Sequence, residues 1–306
     1  MPSISRQVAL HFLTIADAMW LLATNPTSGQ GRGTIVTQEV ANFLSNRSID
    51  YQLVTGSNSI TFQENLQREA SKGGFQGIIA IGGDGLMHMV IQIAVAFDLP
   101  IATIPAGTGN DFVRTLGWEP AKPLEPLWVA LNQQFVQIDL GSIDGEYFGA
   151  IASTGFDSVV NERANKMKWP KGPSKYNVAM ALELPSFRPL EYKFVIDGKS
   201  YSREAMLIAA GNGRSYGGGM LVCPDADLHD GLLDLMILNP VSKREFVRIF
   251  PSVYEGKHIE HPQVEIIRAH EISIEADAVC YADGERVGPM PANIQAIPGA
   301  LKTWQN

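Results

Sequence analysis

The chain has 306 residues, 45% of them hydrophobic and 18% charged, as is typical of a globular protein of two domains. Its formal net charge of −8 argues against nucleic acid as a partner. The two cysteines, Cys223 and Cys280, form no CxxC pair, which argues against a disulfide framework and favours a reducing cytosol. The sequence shows neither an uninterrupted apolar run of membrane-spanning length nor a clear signal peptide, so we expect a cytoplasmic protein.

The first part of the chain alternates short apolar runs with stretches of helical length. The runs predict four β-strands, at 20–24, 50–54, 77–81 and 100–104. Helices are predicted between them, near 34–47, 61–71 and 86–97. This alternation predicts an α/β domain over residues 1–133, with a parallel sheet covered by helices on both faces.

The character of the sequence changes after the proline-rich segment 119–126. From residue 134 onwards, shorter strand-like runs are separated by turn residues, which predicts an antiparallel β-sandwich over 134–306. Two helical stretches, near 157–167 and 243–255, are expected to interrupt the sandwich.

The stretch AIGGDGLMHMV, residues 80–90, places three glycines and a lone carboxylate directly after the third strand. Gly82, Gly83 and Gly85 would let main-chain N–H groups approach a phosphate at the start of a helix. Asp84 would repel that phosphate unless a metal ion or a proton donor lies between them. A tight turn with a helix-capping aspartate is the alternative.

Two further loops follow predicted strands. NPTSGQGRG, residues 25–33, offers donors for phosphate or ribose but lacks the ending of a Walker A loop and the G-x-G-x-x-G spacing. IPAGTGNDFVRTLG, residues 104–117, places Thr108, Asn110 and Asp111 at a helix start, with Arg114 on the same face as Asp111. Helix capping with a local ion pair is the alternative, but two such loops on neighbouring strands favour a shared site.

The second half contains two acidic motifs. In GNGRSYGGGMLVCPDADLHDGLLDLMIL, residues 211–238, Asp225, Asp227 and Asp230 could hold a hard cation, or form a solvated acidic loop. In YADGERVG, residues 281–288, Asp283 and Glu285 flank Gly284, which is also the pattern of a plain Asp-Gly hairpin turn.

Five of these motifs resemble, in their order and approximate spacing, those of the diacylglycerol kinase catalytic-domain family, which includes bacterial lipid kinases and sphingosine kinases. The motifs are NPTSG, GGDGLMH, IPAGTGNDFVRTLG, the GNGRSYGGG…DLHDGLLD region and DGE. The resemblance covers residues 20–301. It implies a nucleotide-binding α/β domain followed by a β-sandwich, with the active site between them. It further implies that ATP and Mg²⁺ are used to phosphorylate a lipid hydroxyl.

The resemblance also implies roles for matching positions. The nucleotide site would be formed by Asn25, Pro26, Thr27, Ser28, Gly29, Thr55, Gly82, Gly83, Asp84, Gly85, Leu86, Met87, His88, Met89 and Thr108. Asp84 and Asp111 would organise Mg²⁺ through a water network, and either Asp283 or Glu285 would be the general base. A second, structural Mg²⁺ site would use Asp227, Asp230 and Leu232, partly through main-chain oxygens.

The sequence departs from the family pattern at four positions. Leu86 and His88 stand where many members have Thr and Asn, as in sphingosine kinases, while Met89 replaces Glu and Arg286 replaces Pro. The family's C-terminal helix has no counterpart here, and residues 1–18 are a candidate cover for the surface it would occupy. An NAD kinase, or a catalytically weakened nucleotide- or lipid-binding regulatory protein, are the alternatives. The identity of the lipid is open.

The segment RANKMKWPKGPSK, residues 163–175, is basic and contains no acid. Its cationic residues flank Met167 and Trp169 and are Arg163, Lys166, Lys168, Lys171 and Lys175. We expect this segment to bring the protein transiently to the inner face of a membrane, where a lipid substrate lies. A solvated loop is the alternative, and a homodimer is also open.

Overall fold

A computed structural model of the chain describes residues 19–170 and 174–306. Residues 1–18, the candidate cover, and Lys171 of the basic segment lie outside the described residues.

The first half contains the predicted parallel sheet. Its strands are β1 (Met19–Thr24), β2 (Tyr51–Val54), β3 (Phe75–Gly82) and β4 (Ile101–Pro105), in the order β2-β1-β3-β4. The helices are α1 (Arg32–Ser45), α2 (Ser59–Ala70), α3 (Asp84–Phe97), α4 (Asp111–Thr115) and α5 (Glu125–Asn132). All five residues of β4 are buried, because helices cover both faces of the sheet. The predicted strands and the parallel sheet are confirmed.

The second half is mainly antiparallel. Its first strands and helices are β5 (Val136–Ile143), β6 (Glu146–Phe148), β7 (Ile151–Gly155), α6 (Phe156–Lys166), α7 (Ser174–Glu183), β8 (Leu190–Ile196), β9 (Lys199–Ala205) and β10 (Leu207–Gly211). The remaining elements are β11 (Leu233–Leu238), α8 (Lys243–Ile249), β12 (Val264–Ala269), β13 (Glu271–Glu275), β14 (Val279–Ala282), β15 (Glu285–Pro289) and β16 (Ala292–Thr303). A 3₁₀ turn at Phe250–Glu255 follows α8, so the helix predicted over 243–255 is α-helical only at its start.

Two sheets pack face to face in this half. One has the order β12-β11-β10-β7-β14-β15, and the other contains β16, β13, β8 and β9. Ile272 and Ile294 of one sheet share a buried core with Ile208 and Leu235 of the other. Strand β8 alternates buried and exposed residues, as expected of a strand with one face on the core. The predicted β-sandwich is confirmed.

Strand β16 joins the two halves. It pairs antiparallel with β5 and β13, and its last residue pairs in parallel with β4, so the first sheet continues into the sandwich. The Trp304 ring lies 6.0 Å from the Trp20 ring, and its indole N–H donates to the carbonyl of Gln133. The sheet therefore crosses the predicted boundary at residues 133 and 134, and the boundary itself stays a prediction.

Helix α7 was missed in the sequence. Ala179 is its one buried residue, so the segment lacks the apolar periodicity that predicts a helix. Among the helices of residues 19–170 and 174–306, none has the length and apolar character needed to cross a bilayer.

Candidate active site

The loops after β3 and β4 lie against each other at the carboxyl end of the parallel sheet, where α/β proteins bind ligands. The amide nitrogens of Ala106 and Gly107 lie 2.9 and 3.2 Å from the carbonyl oxygen of Gly82. A Cβ atom on Gly107 would overlap the Cα atom of Gly83. These two glycines are therefore required by the close approach of the loops.

Asp84 caps α4, the helix that follows the neighbouring loop. Its Oδ2 atom accepts a hydrogen bond from the Asn110 amide at 2.8 Å, and its Oδ1 atom accepts from the amides of Asp111 at 2.6 Å and Phe112 at 3.3 Å. The N-cap of its own helix, α3, is Gly83. The alternative that Asp84 caps its own helix is therefore wrong, and the carboxylate instead joins the loops that follow β3 and β4.

Asp111 is bound by the glycine loop of the second half. Its carboxylate accepts hydrogen bonds from the amide of Gly218 at 2.8 Å and from that of Gly219 at 2.9 Å. Both glycines have positive φ, 84° and 107°, a conformation that other residues rarely adopt. Asp111 is buried, and its helix thus connects the first half to the 216–220 loop.

The two aspartates lie in an electrostatically strained site. Burial, followed by repulsion from Asp111, raises the pKa of Asp84 to about 7. Burial also raises the pKa of Asp111, against hydrogen bonds from Gly218 and Gly219 that lower it. Strongly perturbed carboxyl groups in a cleft are typical of functional sites, and a cation would relieve their repulsion.

Asp283 is buried, and both of its carboxylate oxygens accept hydrogen bonds. Its Oδ1 atom accepts from the amide of Ala150 at 2.8 Å, and its Oδ2 atom accepts from the amide of Gly149 at 2.9 Å. Nδ1 of His88 lies 3.2 Å from the same Oδ2 atom. The φ angles of Asp283 and Gly284, 51° and 83°, are those of an Asp-Gly hairpin turn. Asp283 therefore anchors the β14–β15 turn and is poorly placed to accept a substrate proton.

Glu285, at the start of β15, lies over the glycine loop at residues 82–85. A Cβ atom on Gly85 would overlap the Oε1 atom of Glu285, and the glutamate is solvent-exposed. Of the two acids that flank Gly284, Glu285 is the one with a carboxylate open to a substrate. Arg286, the departure from the family pattern, points elsewhere: its Nε atom lies 2.8 Å from Oε1 of Glu162 on α6.

His88 sits between two carboxylates. Its Nε2 atom lies 2.7 Å from Oε1 of Glu146, on the side opposite Asp283. Burial by itself lowers the pKa of His88, but the hydrogen bonds to Asp283 and Glu146 outweigh burial and raise it to about 10. Both ring nitrogens then carry protons, because each faces an acceptor.

The remaining predicted nucleotide residues divide into two groups. Asn25, Thr27 and Thr108 are exposed at the carboxyl end of the sheet, and Pro26, Ser28, Gly29 and Thr55 are partly exposed there. In contrast, the side chains of Leu86 and Met87 are 4% and 2% exposed and lie in the core of the first half. Met89 is partly buried and packs against the same core. These three residues can offer a nucleotide little more than their main chain.

The residues predicted to hold a structural Mg²⁺ form hydrogen bonds and an ion pair with neighbouring residues. Asp230 forms an ion pair with Arg268, and its Oδ1 atom accepts from the amide of Leu232 at 2.9 Å. Asp227 accepts from the amide of His229 at 3.1 Å. Within residues 19–170 and 174–306, no three Asp, Glu, His or Cys side chains form a metal-binding group. The structural Mg²⁺ site stays a prediction.

An apolar cavity lies in the second half, between α6, α7, α8 and the sheet that contains β10, β11 and β12. The space inside it that a water-sized molecule can occupy is about 80 Å³, and its lining includes Phe156, Val160, Met180, Leu207, Met236 and Phe246. Tyr216 and Met220 also line the cavity, and they belong to the loop whose Gly218 and Gly219 bind Asp111. The cavity and the acidic site therefore share one loop.

Sequence reasoning missed several parts of this arrangement. The roles of Gly218 and Gly219 had a signal, because three consecutive glycines indicate unusual main-chain conformations. Asp157, a partly buried acid that lines the cavity and accepts a hydrogen bond from Ser153 at 2.6 Å, had no such signal. Glu146 likewise resembles any exposed glutamate on a short strand.

Comparisons with known proteins match both halves of the chain. Residues 19–143 match the diacylglycerol kinase catalytic domain, and residues 150–305 match the YegS C-terminal NAD kinase beta sandwich-like domain. The chain is 37% identical over 286 residues to a diacylglycerol kinase of Mycobacterium tuberculosis, covering 91% of this chain and 92% of that protein. It is 31% identical over 274 residues to a diacylglycerol kinase of Bacillus subtilis, covering 87% and 89%.

The fold matches a solved structure as well. A crystal structure of a diacylglycerol kinase from Bacillus anthracis superposes with a TM-score of 0.74, at 23% identity, over 95% of this chain and 97% of that one. The two-part architecture with a connecting sheet is therefore shared with a protein of experimentally determined structure.

Proposed function

The chain belongs to the diacylglycerol kinase family of lipid kinases, and we propose that it transfers the γ-phosphoryl group of ATP, with Mg²⁺, to a hydroxyl of a diacylglycerol-like or sphingoid lipid. The observation that carries the lipid assignment is the 216–220 loop, which binds Asp111 on one side and lines the apolar cavity on the other. An acyl chain in this cavity would leave the polar end of the lipid next to the carboxylates.

The first half would hold the nucleotide. The loops that carry Asn25, Gly83 and Thr108 meet at the carboxyl end of the sheet, and α3 begins there with its N-terminus toward the site. Main-chain N–H groups at a helix N-terminus favour phosphate. Because Leu86 and Met87 are buried, the adenine and ribose would contact the exposed loops instead.

Asp84 and Asp111 fit a magnesium ion that arrives with ATP. Both carboxylates already accept main-chain hydrogen bonds, so they do not form a complete protein cage. In proteins Mg²⁺ usually keeps several of its waters and is bound by one or two carboxylates together with substrate phosphates. Asp84 and Asp111 could provide those two carboxylates. When bound, the ion would neutralise phosphate charge, and Asp84 and Asp111 would orient it.

Glu285 is the proposed general base. In the transfer, the lipid hydroxyl oxygen forms a bond to the γ-phosphorus, the bond to ADP breaks, and the hydroxyl proton passes to the carboxylate of Glu285. Phosphoryl transfer depends mainly on positioning and charge neutralisation, and an ionised carboxylate suffices as proton acceptor. This proposal is supported by the location of Glu285, whose carboxylate lies over Gly85.

Access to the lipid is proposed to occur at the α6–α7 surface. Trp169 is 81% exposed, and Val178 and Leu182 of α7 are exposed on the same helix whose Met180 lines the cavity. Lys166 and Lys168 add positive charge, which suits an anionic bilayer. The protein would therefore act as a peripheral protein at the inner membrane face.

The assignment is tested by incubating the purified full-length protein with labelled ATP, Mg²⁺ and a panel of lipids, with NAD as a further acceptor. Diacylglycerols, monoacylglycerol, sphingosine, ceramide and phosphatidylglycerol are compared in anionic vesicles. We expect phosphorylation of one lipid class and none of NAD. Phosphorylation of NAD alone would reject the lipid assignment, and ATP binding without turnover of any acceptor would support the regulatory alternative.

A further inference from the structure

Helix α3 presents three polar side chains on one face, one helical turn apart. Asp84, His88 and Gln92 follow each other at intervals of four residues. Asp84 binds the start of α4, and Gln92 exchanges two hydrogen bonds with the main chain of Tyr147, at 2.6 and 3.0 Å. Asp84 and Gln92 therefore fix α3 to elements on either side of His88.

His88 is the link from this helix to the β14–β15 turn. Its Nδ1 atom faces Asp283 at 3.2 Å, whereas the other hydrogen bonds to the Asp283 carboxylate come from Gly149 and Ala150 of the second half. On its far side, Nε2 of His88 is held by Glu146 at 2.7 Å. The imidazole is 4% exposed, so it has little freedom to leave this position.

The position of Glu285 depends on that turn. Within the described residues, the Glu285 side chain has no hydrogen bond or ion pair that would hold it over Gly85. Its location is set by the main chain of the turn, whose anchor two residues earlier is Asp283. A shift of the turn relative to α3 would move the Glu285 carboxylate relative to Gly85.

We propose that His88 and Glu146 are positioning residues for phosphoryl transfer. Together they hold the Asp283–Glu285 turn against α3, so that the Glu285 carboxylate stays beside Gly85. This inference rests on the lipid kinase activity proposed above.

The experiment uses Glu146, because its side chain is 44% exposed and its replacement leaves the core intact. Glu146→Ala should lower kcat about tenfold, while KM for ATP stays within about twofold, since the nucleotide loops are unchanged. Glu146→Gln keeps an oxygen acceptor for Nε2 of His88 and should recover part of the loss. Glu275→Gln, which removes an exposed glutamate paired with Lys193, is the matched control and should equal wild type.

A double-mutant cycle distinguishes positioning from general stabilisation. If Glu146 acts through Glu285, adding Glu146→Ala to Glu285→Gln should lower kcat little further, because the group being positioned is already absent. Independent, multiplicative losses, or a wild-type kcat in Glu146→Ala, would overturn the inference. Absence of lipid phosphorylation by the wild-type protein would instead reject the proposed function, so the two failures are distinguishable.

Discussion

The Oδ1 atom of Asp84 lies 2.6 Å from the amide nitrogen of Asp111, so the carboxylate at the start of α3 holds the start of α4. The two acids are thereby brought together by main-chain contacts rather than by a shared side-chain partner. Their proximity has a measurable effect on stability.

The first prediction concerns the pH dependence of stability. The pKa of Asp84 is raised from 3.8 to about 7, so the folded state binds this proton more tightly than the unfolded state does. Stability from this group is therefore lost as pH rises from about 4 to about 7. The Asp84→Asn variant does not lose this stability as pH rises. The difference between its melting temperature and that of wild type should therefore grow in the variant's favour from about pH 5 to about pH 8.

Calorimetry of both proteins without ligand measures this difference. Asp50→Asn, which changes an exposed aspartate, serves as the control for the removal of one carboxylate. A pH-independent difference for Asp84→Asn would contradict the prediction.

The second prediction separates the two acids that flank Gly284. Glu285→Gln should lower kcat by roughly 10²–10⁴-fold with little change in melting temperature, as expected when an exposed general base is lost. Asp283→Asn should lower the melting temperature as well, because one of two buried oxygens that accept hydrogen bonds becomes an NH2 group, which can only donate.

Steady-state kinetics and thermal melts of both variants make the comparison. Glu191→Gln, at an exposed position of β8, is the charge-matched control. Normal turnover in Glu285→Gln would show that the base is another group.

The third prediction concerns the cavity. Val160 of α6 lines it and is 5% exposed, so Val160→Phe adds volume where an acyl chain would lie. We expect this variant to prefer diacylglycerols with shorter chains, with KM for ATP unchanged. Val247→Phe, the same change at an exposed position of α8, should keep the wild-type preference. An unchanged chain-length profile in Val160→Phe would place the lipid elsewhere.

The fourth prediction concerns membrane contact. Trp169→Ala and Lys168→Glu should each weaken binding to anionic vesicles, because an exposed ring inserts at the interface and each basic group contributes about 1 kcal/mol. Vesicle sedimentation at low and high salt measures the effect. Trp128→Ala and Lys199→Glu are controls on α5 and β9. Equal binding to neutral and anionic vesicles would refute this assignment.

The fifth prediction uses Met89, which stands where the family resemblance of the sequence implies Glu. Met89 packs against the core of the first half, so Met89→Glu would desolvate a carboxylate and lower the melting temperature. No gain in ATP affinity is expected. Met89→Leu keeps the packing and should melt close to wild type. Calorimetric titration that showed tighter ATP binding by Met89→Glu would instead place this residue at the ribose.

The sequence predicted the strands and the positions of the loops, because buried parallel strands are uninterrupted apolar runs and glycine clusters mark their ends. It did not predict which of the two acids that flank Gly284, Asp283 or Glu285, has a carboxylate open to a substrate. His88 and Asp283 are separated by 195 positions in the chain, and only the folded protein shows that Asp283 is occupied by three donors while Glu285 is open. Helix α7 was missed because its exposed apolar residues give no periodic signal.

Strand β16 has a consequence for how the protein unfolds. Thr303 pairs with Ile101, its hydroxyl donates to the carbonyl of the same residue at 2.8 Å, and the Trp118 indole donates to the carbonyl of Trp304 at 3.0 Å. Separating the halves would break these bonds and leave β4 as an unprotected edge. The two halves should therefore melt as one cooperative unit, and neither should be stable when expressed alone.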